Sequence, residues 1–89
     1  MKVKSILKFN GATTTTIREN EKTDYKVLCK IQYGFKPNDE CTQIDTGRWI
    51  SEWGVMTYDS RIRVGDEILN REIDFFTATD SQHLTIYVK

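Results

Sequence analysis

The chain has 89 residues, with 13 basic and 13 acidic side chains and a formal net charge of zero. This length predicts one compact domain, residues 1–89, that builds a core without metal or disulfide staples. Because no apolar run is long enough to span a membrane and no signal-peptide pattern occurs, we expect a cytoplasmic protein without membrane contact.

The pair Asn10-Gly11 is the first structural signal in chain order. A two-residue hairpin loop of type I′ needs positive φ at both positions, which asparagine tolerates and glycine adopts freely. The pair therefore predicts a β-hairpin whose first arm covers residues 2–9. The run Thr13–Thr16 belongs to the second arm, and we interpret it as ordinary strand surface because threonine is β-branched and favours extended backbone.

The segment from Tyr25 to Tyr33 shows the clearest strand pattern in the chain. Its apolar residues recur at every second position and share one face, and its other face is mostly polar. This alternation is typical of an antiparallel sheet with one solvated side. The apolar set is Tyr25, Val27, Cys29, Ile31 and Tyr33. Of the two cysteines, Cys29 is thus expected in the core, and both are expected to be free thiols.

Turn signals divide the rest of the chain. Residues 34–39 read as a loop, 45–47 as a turn, and Gly65-Asp66 as a turn between two strands. Residues 71–79 and 83–89 predict the two arms of a closing hairpin that turns at Asp80 to Gln82, and alternation places Leu84, Ile86 and Val88 on one face of the second arm.

Residues 66–76 allow two interpretations. Leu69, Ile73 and Phe76 match a helical stripe that Asp66 could cap. We favour a strand because the residues beyond Glu72 are rich in β-branched and aromatic side chains.

Together these elements predict an all-β domain of six to seven short antiparallel strands, arranged as a small barrel or sandwich. A helix within residues 66–76 would make the fold α+β instead.

Residue types that carry catalysis are sparse. His83, the single histidine, falls beside a polar turn, and the carboxylates stand in turns or on solvated positions without apolar neighbours that would raise a pKa. The one histidine and two separated cysteines match no zinc motif, and no phosphate-binding loop occurs. We therefore expect a protein that is not an enzyme and has neither a metal nor a cofactor.

The segment from residue 47 to residue 58 is the best candidate for a binding surface. Tryptophan, tyrosine and arginine dominate the energetics of protein interfaces, and this segment concentrates them. The predicted protein-binding residues are Arg48, Trp49, Trp53, Met56 and Tyr58. Tryptophan is also a common core residue in small domains, so the sequence leaves open whether Trp49 and Trp53 are buried.

Three functions remain from the sequence. The first is a non-catalytic module that binds a protein, in the manner of small phage or mobile-element proteins that bind and modulate, or inhibit, a host protein. The second is a nucleic-acid-binding barrel of the OB or SH3-like kind, using outward cations on the strands. These cations are Lys2, Lys4, Lys8, Lys26, Lys30, Arg61 and Arg63. The third is a structural subunit of a homo-oligomer or virion that assembles through strand edges.

Overall fold

The computed structural model describes residues 1–8, 12–19, 26–59 and 64–89. Within these ranges the chain forms seven strands and two short helices. In chain order they are helix α1 (Val3–Leu7), β1 (Thr14–Glu19), β2 (Val27–Gln32), β3 (Thr42–Asp45), β4 (Arg48–Ser51), β5 (Gly54–Thr57), helix α2 (Asp66–Leu69), β6 (Ile73–Asp80) and β7 (His83–Val88).

The strands join into a single sheet with the order β3-β4-β5-β2-β1-β7-β6. The predicted number of strands and the mostly β character are confirmed. The sheet is mixed, because β1 pairs parallel with β7 and β2 pairs parallel with β5, while the other neighbours are antiparallel. Its ends, β3 and β6, are not paired with each other, so the purely antiparallel barrel or sandwich is not what the chain forms.

The first predicted strand is wrong, because residues 3–7 are helical. Val3, Ile6 and Leu7 have the spacing of one helical face, and all three pack against the core. The turn residues Asn10 and Gly11 lie outside the described residues. In place of the predicted first arm, the neighbours of β1 are β2 and β7.

The core lies between the two helices and one side of the sheet, which we call the helix face. Ile17 at the centre of β1 pairs with Cys29 on one side and with Ile86 on the other. Paired residues point to the same face, so these three side chains form a continuous apolar row. All three are buried, and Val3 from α1 packs against them.

Polar contacts hold the chain ends against α2 and β6. The backbone N–H of Val3 donates to the Arg71 carbonyl at 3.1 Å, and the N–H of Ile73 donates to the Met1 carbonyl at 2.8 Å. The Arg71 guanidinium donates from Nη2 to Glu19 Oε1 at 3.1 Å and to the Lys89 carbonyl at 2.6 Å. Arg71, in the segment between α2 and β6, therefore links the C-terminal end of β1 to Lys89.

Residues 66–76 begin as a helix and continue as a strand, so each of the two sequence interpretations describes one part of the segment. Helix α2 covers only Asp66–Leu69, and β6 begins at Ile73, so the strand preference is wrong for the first part and confirmed for the second. The predicted cap at Asp66 is also wrong, because Gly65 occupies the N-cap position. Ile68 and Leu69 pack on the core, which explains why this apolar pair forms one helical turn and not the continuation of a strand.

Several sequence predictions are confirmed. The alternating segment forms β2 with Cys29 buried on the helix face, but its register with β1 shifts between Val27 and Cys29, and Leu28 packs against the core in place of Val27. Tyr25 lies outside the described residues, and Tyr33 is exposed beyond the strand. The closing hairpin forms from β6 and β7, and Ile86 and Val88 are buried as the alternation predicts. The threonine run is extended from Thr14 onward, but Thr15 is buried and is not surface.

We predict that the Cys29 thiol makes stability fall at alkaline pH. Burial raises the pKa of Cys29 from 9.0 to about 12, so above pH 9 the unfolded chain releases a proton that the folded chain retains. Between these two values the free energy of unfolding of the reduced protein should fall by on the order of 1 kcal/mol per pH unit through this group. Urea unfolding at a series of pH values measures the slope, and Cys29→Ala should flatten it. Equal slopes in both proteins would contradict the prediction.

Candidate functional site

The face of the sheet turned away from the helices carries the candidate site, and we call it the opposite face. Trp49 pairs with Met56, Met56 with Lys30, and Lys30 with Thr16, so these side chains form one row across the sheet. The row continues from Thr16 through Thr85 to Thr77. It therefore passes from an aromatic end at β4 to a hydroxyl-rich end at β6.

The tight turn between β4 and β5 positions Trp53. The Ser51 hydroxyl accepts a hydrogen bond from the Trp53 backbone N–H at 3.1 Å. Gly54, with φ +99°, follows in the left-handed region, which glycine adopts without a steric penalty. A Cβ at Gly54 would lie 2.9 Å from the Val27 carbonyl oxygen, so the turn also requires close approach to β2.

Trp53 is the more exposed of the two tryptophans, both of which lie in the described ranges. The residue is 59% exposed, and the Lys30 Nζ lies 5.8 Å from the centre of its ring. A cation at this distance from an exposed indole contributes about 0.5–1 kcal/mol. Met56, between Lys30 and Trp49 in the row, is only 5% exposed. The ammonium group thus orients an indole that remains available to a partner.

Trp49 belongs to an aromatic cluster toward the end of β5 that is remote from this turn. Its ring packs edge-on against Phe35 at 5.6 Å between centroids and lies 5.9 Å from the ring of Tyr58. Such arrangements favour a defined ring orientation. Trp49 is half-buried, and Tyr58 is exposed. We call the set formed by Lys30, Phe35, Trp49, Trp53, Met56 and Tyr58 the tryptophan patch.

Arg48 does not join the tryptophan patch. It pairs with Thr57, which is buried, and so it points to the helix face while its neighbour Trp49 points away. The Arg48 guanidinium donates from Nε to Asp45 Oδ2 at 2.8 Å, and Nη2 forms an ion pair with the same carboxylate. The hydrogen bond to Asp45 raises the pKa of Arg48 above its ordinary value. Of the other four predicted residues, Trp49 pairs with Met56 and contacts Tyr58, and Trp53 stands in the turn of the same hairpin, next to Lys30.

A second aromatic group lies on the opposite face, and it was not among the residues predicted from the sequence. The rings of Phe75 and Tyr87 stack with 4.4 Å between centroids and 19° between planes. Tyr87 pairs with Phe75 on β6 and with Arg18 on β1, so these three residues follow one another across the sheet. Phe75 is exposed. The alternation of residues 83–88 could have placed Tyr87 on the polar face, but its pairing with β1 cannot be read locally.

The basic residues predicted to bind nucleic acid do not share one face. Lys2, Lys4 and Lys8 lie in or beside α1, which covers the helix face. Lys30 is on the opposite face, and Lys26 is exposed just before β2. Arg61 and Arg63 lie outside the described residues. The described cations are therefore divided between the two sides of the sheet.

His83 lies at the beginning of β7, beside the hairpin turn. Its Nδ1 is 2.9 Å from Asp80 Oδ1, and both side chains are about half exposed. The Gln82 backbone N–H, followed by the His83 side chain, holds the pKa of Asp80 below its ordinary value. This contact closes the hairpin turn at the surface. In the ranges that the structure covers, no three His, Cys, Asp or Glu side chains are placed to hold a metal ion.

Comparisons with protein-family models, with curated proteins and with solved structures find no match for this chain. Among the helices described, none has the length and apolar character needed to cross a membrane.

We predict that Gly54 is needed for the turn that carries Trp53, and that Gly34 is a matched control. Both have positive φ, but a Cβ at Gly34 would meet no atom within 4 Å. Gly34→Ala should lower the free energy of unfolding by about 1 kcal/mol, and Gly54→Ala by at least about 1 kcal/mol more. Urea unfolding followed by tryptophan fluorescence compares the two variants. Equal losses would show that the approach to Val27 does not constrain the turn.

Proposed function

We propose that the protein is a non-catalytic binding module that docks a protein partner through the tryptophan patch. The observation that carries this proposal is the exposure of Trp53, with the Lys30 ammonium group over its ring, on the hairpin that also carries half-buried Trp49. A domain of this size gains stability by burying its tryptophans, so a largely exposed one has a cost that a binding role would explain.

The geometry also fits the anatomy of a protein interface. Hot-spot residues are aromatic, rigid and surrounded by groups that exclude water when the partner binds. Trp53 stands in a short turn between two paired strands, and Phe35, Trp49 and Tyr58 form a packed aromatic cluster toward the other end of β5. From its size and the lack of catalytic motifs in its sequence, we further propose that the chain is a cytoplasmic phage or mobile-element protein. Its partner would then be a host protein, which it modulates or inhibits.

We predict that Trp53→Ala leaves the fold intact and abolishes partner capture. The side chain is exposed, so its loss should change the free energy of unfolding by less than about 1 kcal/mol, whereas loss of a hot-spot residue weakens binding by about 2 kcal/mol or more. The measurement is affinity capture from nuclease-treated lysate with quantitative mass spectrometry, followed by titration of the purified partner.

Tyr33→Ala is the matched control, because Tyr33 is also an exposed aromatic residue but is not part of the tryptophan patch. A partner retained by the wild type and by this control, and lost with Trp53→Ala, supports the proposal. A partner that binds both variants equally would exclude the tryptophan patch as its docking site.

Nucleic-acid binding is a second candidate, and the row Arg18–Tyr87–Phe75 favours it. Exposed rings on a sheet stack with unpaired bases, and a neighbouring guanidinium can contact phosphate. Arg18 makes no ion pair with any residue in the described ranges. The division of the other basic residues between two faces is the reason that protein binding is the first proposal.

The nucleic-acid candidate predicts salt-dependent binding of single strands. Fluorescence anisotropy of labelled single-stranded DNA, duplex DNA and RNA should show binding that weakens steeply from low to moderate salt. Phe75→Ala should weaken single-strand binding by about 1–3 kcal/mol through lost stacking, while Lys36→Ala, an exposed loop lysine, should not. Absence of binding at low salt would remove this candidate.

A further inference from the structure

The described residues leave a groove at one end of the helix face. The groove has a volume of about 730 Å³, within the range of about 300–1,000 Å³ that is typical of small-molecule sites. Leu7 from α1, Ile31 from β2 and Leu69 from α2 line it, and each is only partly buried against the core. These side chains give the groove an apolar lining between the helices and the sheet.

Two lysines make one side of this groove basic. Lys4 and Lys8 both line it, and their spacing of one helical turn places them on the same side of α1. Neither ammonium group forms an ion pair with a described residue. Asp59 is the one acidic residue among the described lining residues, so the lining carries an excess of positive charge.

We propose that this groove binds a small amphipathic carboxylate with an unbranched apolar tail, of the medium-chain fatty-acid type. The apolar lining would bury the tail, because transfer of methylene groups from water is favourable. The carboxylate would lie at the edge, between the Lys4 and Lys8 ammonium groups. This site is separate from the tryptophan patch except at Tyr58, which borders both.

The first test is a titration of the isotope-labelled protein with octanoate, followed by amide chemical shifts. We expect saturable shifts concentrated at Leu7, Thr13, Ile31 and Leu69. Acetate, which has no tail, should cause no such shifts, and 1-octanol, which has no charge, should bind more weakly than octanoate. Absence of shifts with millimolar octanoate, shifts elsewhere on the sheet, or equal binding of octanoate and 1-octanol would overturn the proposal.

The second test removes the charges. The double variant Lys4→Ala/Lys8→Ala should weaken octanoate binding by about tenfold, as expected for two partly solvated ion pairs, and leave 1-octanol binding unchanged. Lys26→Ala/Lys36→Ala loses the same charge from exposed residues outside the groove lining and should bind octanoate as the wild type does. Equal weakening in both double variants would overturn the assignment of the carboxylate to α1.

A third variant tests the volume of the groove independently of charge. Thr13 is an exposed residue in the lining, and Thr13→Phe should occupy part of the space and weaken both octanoate and 1-octanol. Trp53→Ala should bind octanoate normally, so failure of the protein-binding proposal leaves this inference testable. Unchanged octanoate binding by Thr13→Phe would place the ligand outside the groove.

Discussion

Within the described residues, two short helices cover a wide sheet, and this constrains most of the features described above. Seven strands form a broad helix face, and of the described helices α1 contributes five residues and α2 four to cover it. The helices cover the buried row of Ile17, Cys29 and Ile86 near the centre of the sheet. Toward the start of β1 and the end of β2, the described residues leave a groove open beside the closed core.

The opposite face is organised by a different requirement. No helix packs on it in the described ranges, so its side chains are either exposed to water or covered by longer side chains next to them on the sheet. Threonine on β1, β6 and β7 meets this requirement, because its β-branched side chain favours strand geometry and its hydroxyl remains solvated. Aromatic rings and cations occupy the remaining positions, and these are the groups from which recognition surfaces are built. The two candidate binding surfaces therefore arise from the two faces separately.

Local patterns in the sequence predict the strands but not their order. The alternation around Cys29 and around Ile86 marks β2 and β7, because each strand has one face on the core. Helix α1 was missed because the Asn10-Gly11 signal favoured a hairpin, although Val3, Ile6 and Leu7 also fit a helical face. The parallel partners of β1 and β2 are distant in sequence, so no local pattern could reveal them. Arg48 was grouped with Trp49 by residue type, but adjacent residues of a strand point to opposite faces.

The parallel pairing of β1 with β7 has a consequence for how the chain is made. Thr14 pairs with His83, so β1 lacks one of its two neighbours until β7 has been made. Before that moment β2 can already pair with β1 and β5, and β1 is an edge strand whose second side carries unpaired backbone groups. The core therefore closes only after β7 joins the sheet, and pairing over this sequence distance slows folding, so the edge of β1 is exposed to chaperones during synthesis.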